Sequence, residues 1–547
     1  MNELENDKTY DPELHLCAKT FHGNGYHSRL KDGTPIHDIR LSAEYALECL
    51  HEGGSERNLR AGQILDKLCS LQDADPVSKT YGIWSWTYEE TLAQMDPPDW
   101  NWADFIGVRI AQALKFHADA LPAETAKKSR AALSHAAWSI FRRNVTADYT
   151  NIAIMGAVVT AAAGEILEQP VLLAYARRRF LSLKESIEAN GSFNEYNSPT
   201  YTVIAIEEFD RLSVLVNDPE CNEIAAFLWR HAWEIIAEHF HPATGQWAGP
   251  HARAYSDLLG RDTVRWLSTA TGLAMTSKLA AADDNKKLPM HPPRPCPPDL
   301  IPRFQHLPEK EFTVMRQFFL RGGIPAIGTS WMSEGACLAS INQDNTWVQR
   351  RFLLGYWNTA KSVAVLKMSV MLNGREFPGF RVVQQQHGSK ILTLLQPLYG
   401  TGYYHPTLNT IPNGKLDVDD LRIRYSLCAE NARADALPDG RFVLSGNEWN
   451  AVIAPAPCAF NGDPVIWSTG VIDGGICLDG LIYHGSSKPI DLANAVMQAA
   501  IGLELTRDAA QATSPLPVTT TDSAGLLSAT WSGLSATIQT HAEKFAW

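Results

Sequence analysis

The 547-residue chain contains no CxxC pair. Its nine cysteines, at 17, 49, 69, 221, 296, 337, 428, 458 and 477, are odd in number and scattered. That pattern reads as reduced, mostly buried thiols of an intracellular protein, not as a disulfide framework. Positive charge is in short supply: 48 Lys and Arg against 60 Asp and Glu give a net charge of −12. A general nucleic-acid binder would need a basic face, so that class is set aside, and an anionic substrate would require a local basic cleft. Long apolar runs are missing too. The longest, NIAIMGAVVTAAAG (151–164), is too short to span a bilayer. The acidic, polar start MNELENDKTYDPELHLC has neither a basic n-region nor an apolar h-region, so no signal peptide is expected and the location is read as cytoplasmic. There is no GxGxxG, no P-loop and no GxSxG, which argues against nucleotide cofactors and serine-hydrolase chemistry. No cofactor and no metal site are expected; His239-Phe-His241 has no further ligands at metal spacing.

What the chain does have is ordinary globular composition, 45% hydrophobic and 20% charged, at a length that calls for two large domains. The first half carries helical periodicity. Ile106, Ile110, Ala113, Leu114 and His117 make one face, and Ile152, Met155, Val159, Ala162 and Ile166 another. Val203, Ile206, Phe209, Leu212 and Val216 make a third, and Ile224, Phe227, Leu228, His231 and Ile235 a fourth. Further helices are predicted near 38–51, 55–71, 122–143, 170–188 and 262–281. About nine short-looped helices make antiparallel neighbours that can curl into an open or closed (α/α) toroid. A solenoid would need a repeat of fixed length, and none is found. Seven prolines between 285 and 302 forbid helix and mark a connector. Beyond it, short β-rich runs punctuated by NGR, PNGK, LPDG and NGDP predict an antiparallel β-sandwich or a stack of sheets, with one helix inserted near 490–503. The expected layout is helical residues 1–284, a linker over 285–303 and a β-domain over 304–547.

Several stretches hold more polar and aromatic groups than packing requires: YGIWSWTYEE (81–90), DPPDWNWADF (96–105), ADYTNIAIM (147–155), NGSFNEYNSPTY (190–201), GPHARAYSDLLG (249–260) and NTWVQRRFLLGYW (345–357). All but the last fall at predicted helix beginnings or loop-to-helix junctions, and alternate helix ends of a toroid share one rim. Asn151, Tyr201, His251 and Tyr255 are the candidate catalytic residues. Each has a plainer reading: Asn151 as a helix cap, Tyr201 and Tyr255 as packed tyrosines with bonded hydroxyls, His251 as a structural imidazole. Glu195 and Tyr196 are candidates for substrate contact, although a carboxylate before a helix also complements its positive end. Trp84, Trp86, Trp100 and Trp102, with Asn101 between the last two, are candidate stacking platforms or simply core. Glu89, Glu90, Asp99 and Asp104 offer a possible glycosidase acid pair. Arg253 stands two residues from both His251 and Tyr255, where a cation would favour a phenolate. Arg350 and Arg351 are placed to add positive charge from the β-half.

G-S-F-x-E-x-x-S-x-x-Y (191–201) is similar to the segment that supplies a catalytic tyrosine in heparinase II/III-like and alginate-lyase-like polysaccharide lyases. Thr150-Asn151 resembles the helix start there whose amide holds a substrate carboxylate, and His251-x-x-x-Tyr255 resembles a His/Tyr pair after the later helices. Where many relatives place histidine after that asparagine, this chain has Ile152. The resemblance implies a toroid followed by an antiparallel β-domain and β-elimination on a uronic-acid-containing saccharide, without a redox cofactor. Such chemistry needs a group that neutralises the carboxylate, a base at C5 and an acid for the departing O4. A tyrosine, with an ordinary pKa of about 10, needs a nearby cation to serve as base. Three other classes stand beside this one: a cyclase or isomerase of a small, largely apolar metabolite on a reused toroid, an α/α-barrel glycoside hydrolase, and a carbohydrate-binding or scaffolding protein. The expected partner is a small molecule or oligosaccharide, with no nucleic acid and no membrane.

Overall fold

The computed structural model describes residues 4–23, 27–275, 293–360, 362–511 and 514–546. Helices come first and antiparallel strands follow, as the pattern change predicts. The nine described α-helices are α1 (Ile39–Glu52), α2 (Ser55–Leu71), α3 (Trp102–His117), α4 (Ala123–Arg143), α5 (Thr150–Ile166), α6 (Pro170–Asn190), α7 (Tyr201–Leu215), α8 (Pro219–His239) and α9 (Arg261–Thr271). Their ends follow local chemistry. Asp38 caps α1 by accepting from the Leu41 N–H at 2.7 Å. Arg142 and Arg143 lie at the negative end of α4, which closes on left-handed Asn144.

The chain forms two compact units: residues 1–189 with 204–230, and residues 190–203 with 231–547. In the first, α1 packs on α2 and α3 on α4, while α1–α3–α5 and α2–α4 form two rows. This is the plan of an incomplete (α/α) toroid. Sequence explains the rows. α5 is apolar around its whole circumference, and nearly every residue from Thr150 to Gly164 is buried. α2 and α4 carry charge on one side and bury only a stripe. Leu16–Thr20, flanked by Tyr10–Asp11 and Pro35–Asp38, adds a small sheet that the helical periodicity gave no reason to expect.

The second unit is a β-sandwich. Its larger sheet runs Ile466–Ile472, Gly475–Asp491, Lys415–Cys428, Val363–Leu372, Leu353–Asn358, Ala336–Ile341, Ile324–Ser333, Glu311–Arg321, with Arg375–Glu376 beside Val363–Leu372. The facing sheet runs Arg433–Ala436, Phe442–Gly446, Trp449–Pro455, Ala500–Thr506, Lys390–Tyr399, Phe380–His387, Gln343–Asn345. Pairing is antiparallel except where Glu543–Lys544 runs parallel to Lys390–Tyr399. One core between the sheets takes Leu338, Leu366, Ile423 and Leu478 from the first and Val382, Leu395, Ile453 and Leu503 from the second. Each such fully buried aliphatic contributes roughly 1.5–3 kcal/mol. A third sheet, Val518–Thr521, Leu526–Trp531 and Leu534–Gln539, covers a further cluster around Trp531.

One expectation changes. The helix predicted near 490–503 is a short 3-10 turn, Leu492–Asn494, followed by strands Met497–Gln498 and Ala500–Thr506. Ala500–Thr506 sits in the middle of its sheet, between Trp449–Pro455 and Lys390–Tyr399. A strand buried on both faces reads as a continuous apolar run, which periodicity cannot tell from a helix. Residues 190–203 and 231–275 are grouped with the strands in the second compact unit. Residues 276–292, which include the first half of the proline-rich linker, lie outside the described residues. No described helix is long and apolar enough to cross a membrane.

Candidate functional site

Three segments of the second unit are laced together around residues 195–201. Gly191 opens the first with φ +95, and a Cβ there would meet the Gln317 carbonyl oxygen at 2.5 Å. Asn197 takes the left-handed conformation. Its Nδ2 donates to the Ala248 and Pro250 carbonyls at 2.9 Å each, and its Oδ1 accepts from the Trp247 indole. Ser198 caps the start of α7: its Oγ accepts from the Tyr201 N–H at 3.0 Å and donates to the Arg253 carbonyl at 2.6 Å. The 248–255 loop is tied on one side by Ala252 N–H to the Tyr196 carbonyl at 2.9 Å. On the other, a bridge joins His251 to Arg351, and Ala254 N–H reaches the Gln349 carbonyl at 2.9 Å.

These ties bring Tyr201, Tyr255, Arg253, Glu195 and Gln349 together. The two phenol oxygens are 2.7 Å apart. Arg253 Nη2 donates to Tyr201 at 3.0 Å and to Tyr255 at 3.4 Å, Nη1 donates to Glu195 at 2.9 Å, and Nε donates to Gln349 Oε1 at 2.6 Å. The guanidinium carbon lies 4.6 Å from the Tyr201 ring centroid and 5.0 Å from that of Trp347. Glu195 is buried, Tyr201 is half-buried and Tyr255 is 60% exposed, so the cluster runs from interior to solvent. Burial raises the Tyr201 phenol well above its usual range against the opposing pull of Arg253, so it keeps its proton at neutral pH. Burial also works against the charge of Arg253, but the oxygens of Tyr201, Glu195 and Tyr255 outweigh it and hold the guanidinium charged.

Other predicted site residues of this unit have interior roles. His251 is 2% exposed, with Nδ1 2.7 Å from the Asn197 carbonyl and Nε2 3.1 Å from the Trp247 carbonyl. Burial lowers its pKa to about 3, so the ring is neutral and its single N–H can serve only one of the two carbonyls. Tyr196 lies in the core: it is fully buried, stacks on Phe318 at 4.9 Å and donates to Asp344 Oδ2 at 2.6 Å. A phenol beside a proline turn fits a wall or a rim equally well by sequence, and here the β-sheet side claims it. Arg350 donates to the Ala252 carbonyl at 2.9 Å and faces Asp344 at 3.5 Å. Arg351 pairs with Asp257 at 2.5 Å and donates to the Val348 carbonyl. Both arginines are therefore spent on internal partners. His239 and His241 are buried on Ile235, Thr244 and Ser333. Among the described residues, no group of three or more His, Cys, Asp or Glu side chains is placed to hold a metal ion.

The remaining candidates belong to the helical unit. Asn151 is buried in the first turn of α5, one residue past Thr150, while Tyr149 occupies the cap position. Trp84 is core, fully buried with its indole N–H on the Leu68 carbonyl at 2.8 Å. Trp86 and Trp102 are half-buried and stack at 5.2 Å. Trp86 donates to Asp99 at 3.2 Å and Trp100 to the Lys79 carbonyl at 3.1 Å. Asn101 accepts from Arg143 at 2.6 Å and donates to the Tyr149 hydroxyl at 3.2 Å. Asp104 is fully buried, and desolvation raises its carboxyl to about 7. Sequence reasoning missed Gln349 altogether. It lies in the quoted 345–357 stretch, but an irregular bridging segment has no periodicity to say which side chain meets Arg253.

Among solved structures the chain is similar to a crystal structure of heparinase III, at 10% identity, TM-score 0.39, covering 95% of this chain and 88% of that one. It is also similar to a heparinase III gene product with methylated lysines, at 10% identity, TM-score 0.38 and coverage of 98% and 90%. A third is a mutant of the heparan sulfate lyase HepC from Pedobacter heparinus, at 10% identity, TM-score 0.34 and coverage of 91% and 81%. No curated protein matches. Residues 7–290, just over half the chain, match the family model described as a domain of unknown function (DUF8769), and the chain belongs to that family.

Proposed function

We propose that this protein is a carbon–oxygen lyase that cleaves a uronic-acid-containing saccharide by β-elimination, with Tyr201 and Tyr255 as its proton-transfer pair. The observation that carries this reading is the 2.7 Å contact between the two phenols on one buried guanidinium. Tyr255 reaches solvent, and both Tyr201 and Arg253 can donate to its oxygen once it has lost its proton. As phenolate it takes the C5 proton of the uronate. The C5–H electrons form the C4=C5 bond while the C4–O4 bond breaks. Tyr201, kept protonated by burial, gives its proton to O4. The short contact then passes the proton from Tyr255 to Tyr201, so no net proton is consumed. Arg253, Glu195 and Trp347 hold the pair in place. His251 supports the Asn197 turn beneath it.

One observation favours a second reading. Arg350 and Arg351 bond internal carboxylates and carbonyls, and the charge of Arg253 is balanced by Glu195. A cluster so neutralised also suits an uncharged substrate, as in a metabolite cyclase or isomerase using the same phenols. Glycoside hydrolysis has less support, because it needs two carboxylates across a cleft and the cluster holds only the ion-paired Glu195.

The test is absorbance near 235 nm, where unsaturated uronates absorb, on a panel of uronate oligosaccharides. A rise with wild type that Tyr201→Phe and Tyr255→Phe lose supports elimination. No rise with any uronate transfers the phenol pair to the cyclase or isomerase reading, to be pursued by comparing metabolites with and without the protein.

A further inference from the structure

Gln349 is held at both its main chain and its side chain. Its carbonyl accepts from Ala254 N–H at 2.9 Å, and Oε1 accepts from Arg253 Nε at 2.6 Å. The neighbouring bridge between His251 and Arg351 fixes the segment on which it stands. Among the described residues no protein group bonds its side-chain nitrogen, although Gln349 retains only 9% of its surface. The amide cannot turn over. Rotation would set its NH2 against the Nε–H of Arg253, donor against donor. Arg253 cannot yield, because it sits between the Tyr201 and Trp347 rings and is bonded to Glu195 and both phenols. An amide donor is thus locked in orientation on the same guanidinium that carries the proton-transfer pair.

We infer that Gln349 is the group that receives the substrate's carboxylate, donating through its fixed side-chain NH2 to a uronate oxygen beside Tyr201 and Tyr255. The identification of that oxygen as a uronate carboxylate rests on the lyase reading. The presence of a fixed donor does not. A neutral donor suits the surroundings. With Arg253 already paired, a further cation would draw Glu195 and the phenols towards itself, whereas an amide N–H strengthens its bond as charge grows on the acceptor oxygen. A site built to donate there rejects an analogue without the acceptor. Gln349→Glu keeps the oxygen that Arg253 Nε needs and replaces the donor with a second acceptor.

The experiment titrates D-glucuronate, D-galacturonate and D-glucose into wild type, Gln349→Glu and Gln349→Ala by calorimetry, with thermal melting as the folding control and the 235 nm assay run in parallel. The expected result is that wild type prefers the uronates over glucose and that both variants, melting near wild type, lose about tenfold or more of uronate affinity while binding glucose unchanged. Folded variants with wild-type uronate affinity would overturn the inference, as would a wild type with no preference for uronate. The parallel assay separates the two ideas. Elimination that persists unchanged in both variants removes the role of Gln349 and leaves the lyase reading. Uronate preference lost in the variants, with no elimination by wild type, removes the lyase reading and leaves Gln349 as a carboxylate ligand.

Discussion

The loop from Trp247 to Tyr255 has two ends with opposite chemistry. At its first end, Trp247 and His251 point inward at the Asn197 turn, and every polar atom named there serves backbone or amide groups. At its second end, two residues on, Arg253 and Tyr255 gather side chains from three segments and lead out to solvent. Both ends contact the same 195–201 stretch. The difference lies in where the titratable groups stand. The inner imidazole is neutral and enclosed between backbone carbonyls. The outer phenols share a hydrogen bond and one of them is exposed. A dense cluster of His, Tyr, Asn and Arg therefore does not announce one site. Part of it holds the loop so that the other part can be presented.

The sharpest way to break this comparison is acid, and its effect should be the largest. His231, His239, His241 and His251 all belong to the β-rich unit, and burial lowers them to about 4, 3, 4 and 3. The unfolded chain binds protons at these rings below about pH 6.5 while the folded unit does not. Stability is thus intact above that pH and lost as pH falls towards 4, at about 1.4 kcal/mol per ring per pH unit, or about 5.5 for four. Loss of near-ultraviolet circular dichroism between pH 6 and 4, delayed by His239→Gln, is the expected outcome. Arg253→Met comes next. It removes the guanidinium that bonds buried Glu195 and should destabilise by about 3–5 kcal/mol in thermal melting as well as abolish the proposed activity. Arg253→Lys should not restore activity, because an ammonium cannot reproduce the bonds from Nε, Nη1 and Nη2 at once.

Helix periodicity and the proline run made the order of helices and strands legible, because both are local signals. The candidate site was legible only at its outer end. Tyr201, Tyr255, Arg253 and Glu195 lie on quoted motifs, and the structure brings them together. Tyr196 and Tyr201 could not be told apart by sequence, since the choice depends on Phe318 and Asp344 from strands more than a hundred residues away. His251 had the same difficulty: its environment is made of carbonyls, which every residue carries. Gln349 was hidden because its role depends on the pairing of two irregular loops. The run near 490–503 reads as helix because the central place of Ala500–Thr506 in its sheet removes the alternation that marks a strand.

The smaller effects divide the outer end itself. Tyr201→Phe removes a hydroxyl whose partners are Arg253 and Tyr255 and leaves the ring that stacks on the guanidinium. Stability should change by only about 1 kcal/mol, while kcat falls by about 100- to 10,000-fold if the phenol is the acid. Tyr255→Phe should change stability less, because its side chain is mostly in water. If Tyr255 only shields Tyr201, its loss will cost little activity. If it is the base, as proposed, kcat will fall by a comparable factor with KM nearly unchanged. The double variant will then be no slower than either single one, because two groups that pass one proton fail as a unit. Additive losses would mean that the two phenols act independently and that no proton passes across the 2.7 Å contact.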